Sequence, residues 1–233
     1  MSGTYLFPPP PVISIPVEGQ AARFPVRRIF CVGRNYAAHA AEMGHEVDRE
    51  APFYFTKSAH AICASGSEIA YPAGTEDCHY EMEFVVALGA PVDAGDPMAS
   101  VMGYACGIDL TRRDLQAAAK DRRRPWDLGK DFENAAVMGT LTPAKAFGGI
   151  GAQTIRLTMD GAVVQEAGLD QMVWSVPEIL THLAGFYTLG AGDLIYTGTP
   201  AGVGPVHPGA VLRGEIDGLE PVDLVIAPGF PKS

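Results

Sequence analysis

The segment HYEMEFVVALG, residues 79–89, constrains this chain more than any other. Its apolar stretch is short, rich in β-branched and aromatic residues and closed by Gly89, which predicts a buried strand over 81–88. Glu81 and Glu83 nevertheless stand at its mouth. Side chains alternate along a strand, so both carboxylates share one face, roughly 6–7 Å apart at Cα. Like charges held that close beside an apolar run repel each other unless a proton or a cation intervenes. A strand end fraying into solvent is the alternative that the pair alone leaves open.

The rest of the chain fits a strand-rich architecture. Glycine (27) and proline (19) are both abundant among 233 residues, as many turns require. Strands are predicted at 26–33, 53–58, 67–71 and 101–108, and in IRLTMDG, AVVQEA, DLIYTG, AVLRGEIDG and PVDLVIA in the last third. Helices are predicted from Asn35 to Gly44, from Asp109–Thr111 to Pro125 with Thr111 and Asp114 as a capping box, and over 176–186 with Pro177 in the first turn. Strands outnumber helices and no regular helical crossovers separate them, so the expected fold is mainly β with some α rather than a doubly wound sheet. One domain over 25–233 follows an extended, proline-rich lead-in at 1–24, and the polar stretch 45–52 reads as a mobile loop.

A net charge of −10 argues against nucleic acid or an anionic membrane as partner. No apolar run approaches membrane-spanning length, and the N-terminus lacks a basic signal-like region. Cys31, Cys63, Cys78 and Cys106 fall at wide, irregular spacings, which points to reduced thiols in a cytoplasm rather than a zinc module or disulfide frame.

Four constellations carry chemistry. Asp109 closes the apolar run VMGYACGI and joins Glu81 and Glu83 as a third carboxylate at a strand end. Read alone it is an N-cap rather than a ligand. Read with the glutamates it completes an all-oxygen set suited to Mg²⁺ or Mn²⁺, with Cys78 and His79 as poorer, softer ligands. His39 and Glu42 lie three apart on one helical face, where the carboxylate can orient the imidazole; a solvated surface pair is the alternative. Arg113 and Gln116 are likewise three apart, Lys130 follows Pro125-Trp126, and Arg122–Arg124 read as a solvated helix end. The loop YTGTPAGVGPVHPG, 196–209, lacks the Lys-Ser/Thr of a P-loop. It is either a plain turn-rich connection or a loop whose amides and Thr199 hold a substrate carboxylate.

In CVGRNYAAHAAEMG, FYFTKS, CHYEMEFVVALG, GYACGIDLTRRDLQ, PWDLGKDF and DLIYTGTPAGVGPVHPG, occurring in that order, the chain resembles the fumarylacetoacetate hydrolase family over residues 26 to about 225. Within it, FPVRRIFCVGRNYAAHA, LTRRDLQ and WSVPEIL favour the small acylpyruvate hydrolases. The resemblance implies a mixed β-sandwich roll, usually a homodimer, and leaves no room for the extra N-terminal barrel of longer members. It implies Glu81, Glu83 and Asp109 as ligands of Mg²⁺ or Mn²⁺, His39 and Glu42 as a water-activating pair, and Lys130 as a stabiliser of negative charge. It implies Arg113, Gln116 and Thr199 as substrate contacts. The implied activity is hydrolysis of the C–C bond of a 2,4-diketo acid, with fumarylpyruvate from gentisate catabolism as substrate. Oxaloacetate decarboxylation or a decarboxylase–isomerase role through the same stabilised enolate is the alternative.

Overall fold

The computed structural model describes residues 4–42 and 51–227. A large mixed sheet runs, in spatial order, through Phe53–Lys57, Arg28–Gly33, Asp193–Tyr196, Met82–Leu88, Val101–Asp109, Ala136–Met138 and Ile62–Ala64, with Thr142–Pro143 also paired to Val101–Asp109. A second sheet runs through Ala162–Gly168, Thr154–Met159, Val211–Ile216, Val222–Ala227 and Ser67–Ala70. Most pairings are antiparallel, and helices are few and short, so the mainly-β expectation holds.

All seven residues of Met82–Leu88 are buried, because this strand lies mid-sheet with both faces covered. One face packs on the second sheet. A Cβ on Gly214 would lie 2.3 Å from the Met82 sulfur, so only glycine admits that side chain. On the same face Phe84 stacks on Tyr104, centroids 5.0 Å apart. The opposite face carries Glu83 and, next in alternation, Val85, which fills the space above Gly107. A strand can thus be wholly buried and still present carboxylates at one end of one face. Glu81, expected as the first residue of the 81–88 strand, lies instead between this strand and the short Cys78–Tyr80 strand, one residue ahead of Met82.

Three local expectations change. The first helix, α1, spans Ala37–Glu42 among the described residues, and Asn35 is not its cap. Asn35 is fully buried; its amide donates to Trp174 O and Thr197 O and its Oδ1 accepts from Trp174 N. The second helix, α2, spans Arg113–Asp121, not Asp109 to Pro125. Residues 111–112 remain extended because they pair with His79 and Cys78, so the Thr111–Asp114 capping box does not form. Asp114 instead accepts from Thr75 Oγ1 and Glu76 N. The helix stops where Arg123 turns left-handed (φ 52°), ahead of Pro125, and Arg122–Arg124 are exposed as expected. The lead-in is also not wholly extended over the surface: Ser14–Pro16 and Arg23–Pro25 pair, burying Ile15 and Phe24.

The 176–186 helix is present as Val176–Ala184, with the Ser175 amide and hydroxyl both donating to the Glu178 carboxylate. All four cysteines are free and buried. The expected loop at 45–52 lies, for residues 45–50, outside the described residues. No helix among the described residues is long and apolar enough to cross a membrane.

Candidate functional site

Antiparallel register brings the three acids together. Met82 pairs with Ile108 and Glu83 with Gly107, and the Asp109 amide donates to Glu81 O at 2.8 Å. Asp109 therefore lies across the ladder from Glu81, where facing side chains are closest neighbours. Each of Glu81, Glu83 and Asp109 offers one carboxylate oxygen, all within 4.8 Å of one another, and all three residues are buried. The N-cap reading of Asp109 fails: it ends a strand, and three residues, Leu110 to Arg112, separate it from α2.

The three carboxylates differ in their surroundings. Glu81 Oε1 accepts from the Arg113 guanidinium and, at 3.2 Å, from Thr111 Oγ1, while Oε2 accepts from Lys130 Nζ at 2.9 Å. Burial pushes the Glu81 carboxyl up, but Lys130 and Arg113 together outweigh it and hold the group well below the usual carboxylate range. Asp109 Oδ2 accepts from Lys130 Nζ at 2.8 Å. Lys57 Nζ lies 2.7 Å from Asp109 Oδ1 but off the line of a hydrogen bond, so that contact is ionic and the oxygen keeps a free lone pair. Glu83 has no cation within ion-pair distance among the described residues and accepts only the Gly198 amide, at 2.6 Å. Burial, then Asp109 and Glu81, push its carboxyl well above the ordinary range.

These observations test the fit of a divalent ion. The donor set is all carboxylate oxygen, which suits hard cations such as Mg²⁺ and Mn²⁺. Glu83 is a buried acid without a counter-charge, and Asp109 Oδ1 is a buried oxygen without a hydrogen bond. Both defects disappear when a cation sits among the three. Cys78 and His79 take no part; His79 pairs with Asp77 at 2.8 Å.

His39, Glu81, Glu83, Arg113, Gln116, Lys130 and Thr199 all line one pocket. His39 Nδ1 lies 3.4 Å from Glu42 Oε2, a long contact. The His39 ring is nearly buried while Glu42 is partly exposed, its carboxylate also accepting from Gly202 N at 3.2 and 3.1 Å. Burial is the main reason that the His39 imidazole titrates below 6.5; Glu81 and Glu42 oppose it without prevailing. Arg113 Nη1 donates to Gln116 Oε1 at 2.7 Å, so their three-residue spacing does create a facing pair. Thr199 Oγ1 accepts from Gln165 Nε2 at 2.9 Å. The loop amides of Gly198 and Gly202 are directed at Glu83 and Glu42, two of the protein's own carboxylates, rather than at open solvent.

Sequence reasoning missed Lys57, Thr111 and Gln165. Lys57 alternates with Phe53 and Phe55 on one face of an aromatic strand, a signal visible in FYFTK. Thr111, assigned there to a helix cap, accepts from Lys130 Nζ at 2.6 Å. Gln165 had no local signal; its Oε1 accepts from Met82 N across 83 positions of sequence.

Residues 28–226 match the family described as Fumarylacetoacetate (FAA) hydrolase C-terminal. The chain belongs to the fumarylacetoacetate hydrolase family. Among relatives, it is 43% identical to a fumarylpyruvate hydrolase of Ralstonia sp over 191 residues, 80% of this chain and 99% of that protein. It is also 35% identical to a mitochondrial oxaloacetate decarboxylase of Dictyostelium discoideum, covering 83% of this chain and 90% of that one. Its fold is similar to the crystal structure of fumarylpyruvate hydrolase from Pseudomonas aeruginosa in complex with Mn²⁺ and pyruvate, with a TM-score of 0.92 and 43% identity, covering 97% of this chain and 100% of that one. As a fumarylacetoacetate hydrolase family member, the chain has the mostly-β fold that the motifs implied.

Proposed function

We propose that this chain hydrolyses the C–C bond of an acylpyruvate, with fumarylpyruvate as substrate and fumarate and pyruvate as products. The observation that carries this reading is the convergence of two machineries on one pocket. Glu81 and Glu83, two members of a carboxylate triad fit for a hard divalent ion, line the same cavity as His39, whose partner Glu42 makes a pair fit to activate water. The similarity to a fumarylpyruvate hydrolase holding Mn²⁺ and pyruvate supports the choice of metal and of keto acid.

Mg²⁺ or Mn²⁺ held by Glu81, Glu83 and Asp109 supplies Lewis-acid stabilisation of the charge that builds on the α-keto acid half. Arg113, Gln116 and Thr199 bind and orient the substrate. Glu42, steadied by His39, takes a proton from water as its oxygen bonds to the distal acyl carbon. The C–C bond then breaks with its electron pair passing to the pyruvate fragment as an enolate. The acyl carbon leaves as a carboxylic acid, and the proton held by the His39–Glu42 pair returns to the enolate carbon to give pyruvate. Lys130 faces this charge from a fully buried position; a donor so placed is worth about 3–4 kcal/mol of barrier. The same reading takes the protein as a cytoplasmic homodimer with a chain-length catalytic domain behind a short lead-in.

A second reading, decarboxylation or tautomerisation of oxaloacetate, is favoured by relatives named for those activities at 34–35% identity. It needs the enolate stabilisation but no attacking water. Purified protein with Mn²⁺ is offered fumarylpyruvate, acetylpyruvate and oxaloacetate, with ultraviolet loss of the conjugated enol and chromatography of products as readouts. Hydrolysis of the first two is expected, and Glu42→Gln is expected to lower it by about 100-fold or more. Turnover of oxaloacetate alone, indifferent to Glu42→Gln, overturns the hydrolase.

A further inference from the structure

Lys120 lines the pocket with the residues already described, yet the proposed chemistry gives it no task. On α2 it follows Arg113 by seven residues and Gln116 by four, so all three share one helical face. Arg113 and Gln116 are engaged with Glu81 and with each other. Lys120 has no carboxylate within ion-pair distance among the described residues. Its ammonium sits instead over the Trp126 ring, 4.9 Å from the centroid. Beyond it, Trp126 meets Phe53 edge to face at 5.4 Å, and Arg34 lies over the Phe53 ring at 5.4 Å. Two cations are therefore held on a joined pair of aromatic faces at the mouth of the catalytic pocket.

The charges around Lys120 oppose its own. Burial first, then Arg113 and Arg34, push its ammonium down to about 8, with Lys130 adding to the repulsion and Glu81 alone opposing it. A half-buried ammonium with neighbouring cations and no carboxylate at ion-pair distance among the described residues is stabilised when an anionic ligand enters. Position narrows the ligand. Seven residues of helix separate the Arg113 and Lys120 backbones by roughly 10 Å, beyond the reach of the α-keto acid head at the carboxylate triad. An anion at Lys120 belongs to the far end of the substrate.

We propose that Lys120 binds a carboxylate at the distal end of the acyl chain, so that the pocket selects acylpyruvates whose acyl group is itself a dicarboxylic acid. This rests on the acylpyruvate reading for the placement of the substrate, and its test is built to fail separately.

Mn²⁺-loaded protein with saturating pyruvate is titrated calorimetrically with fumarate and with crotonate, which carries a methyl in place of one carboxylate. Lys120→Met is expected to weaken fumarate binding by about 10-fold or more and crotonate binding far less, as loss of a charged hydrogen bond requires. Lys120→Arg is expected to recover most of the fumarate affinity. In the wild type, fumarate binding is expected to weaken as the pH rises through about 8, where the free ammonium loses its proton. Equal changes for the two acids, or fumarate binding indifferent to both Lys120→Met and pH, overturn the inference. Steady-state assays on fumarylpyruvate and acetylpyruvate run alongside. If neither is cleaved the hydrolase reading falls while the binding data still decide Lys120. If both are cleaved with a kcat/KM ratio that Lys120→Met does not shift, Lys120 has no part in selection.

Discussion

Glu81 and Glu83, two residues apart on one face, end up in opposite electrostatic states. Glu81 is held ionised by Lys130 and Arg113, whereas Glu83 is buried with an amide and, among the described residues, no cation at ion-pair distance. His39 is tuned by the same neighbourhood. Its imidazole is neutral at pH 7 because burial outweighs the attraction of Glu81 and Glu42 for a proton. A divalent ion on the carboxylates cancels part of the Glu81 attraction and moves the imidazole further in the same direction. Titration of the His39 ring by proton NMR, assigned with a His39→Gln variant, is expected to give a midpoint below 6.5, lower again with Mg²⁺. The acid limb of kcat/KM then lies below 6.5 as well. A midpoint at or above 6.5 contradicts the neutral, base-orienting role proposed for His39.

At the scale of elements, the site is assembled by short connections that bind one another. The turn after Asp193–Tyr196 carries Gly198 at φ +101°, and its amide is the one hydrogen-bond donor to Glu83 among the described residues. A Cβ there would lie 2.7 Å from the Cβ of Asn35, whose side chain ties the approach to α1 onto Trp174 and Thr197. Gly198→Ala thus strains the backbone and pushes apart the segments that carry Glu83 and His39. A loss of about 1–3 kcal/mol in denaturant unfolding is expected, together with weaker Mn²⁺ binding. A Gly198→Ala protein with wild-type stability and metal affinity removes this coupling. The α2 boundary shows why local pattern misleads here. Thr111 and Asp114 have the spacing of a cap, but pairing of residues 111–112 with the Cys78–Tyr80 strand keeps the backbone extended and frees Thr111 to face Lys130.

For the molecule as a whole, the proposed metal site would also be a stability device. Its three carboxylates sit on or next to neighbouring strands at the middle of the large sheet, so an ion bound to all three would link the core of the fold. An ion that binds only the folded chain raises its stability by about 2.7 kcal/mol at a hundred times Kd. Mn²⁺ is expected to raise the melting temperature and a chelator to reverse the rise. Glu83→Gln is expected to abolish the Mn²⁺ shift yet melt, metal-free, no lower than the metal-free wild type, because it removes a buried like charge. A full Mn²⁺ shift in Glu83→Gln removes Glu83 from the ligand set.

Much of this was legible in the chain itself. The run after Glu81, its alternation and its glycine stop identify a buried strand with two acids on one face, since period and burial are local properties. The i, i+3 pairs His39–Glu42 and Arg113–Gln116 were readable for the same reason. What tertiary structure alone decided is register: that Asp109 faces Glu81, that Lys57 arrives from an edge strand, that Gln165 reaches Met82 from the second sheet and that Trp126, under Lys120, meets Phe53, under Arg34. Those contacts join residues tens of positions apart, and no local preference encodes them. They are set by which strands exclude water together, a property of the packed chain.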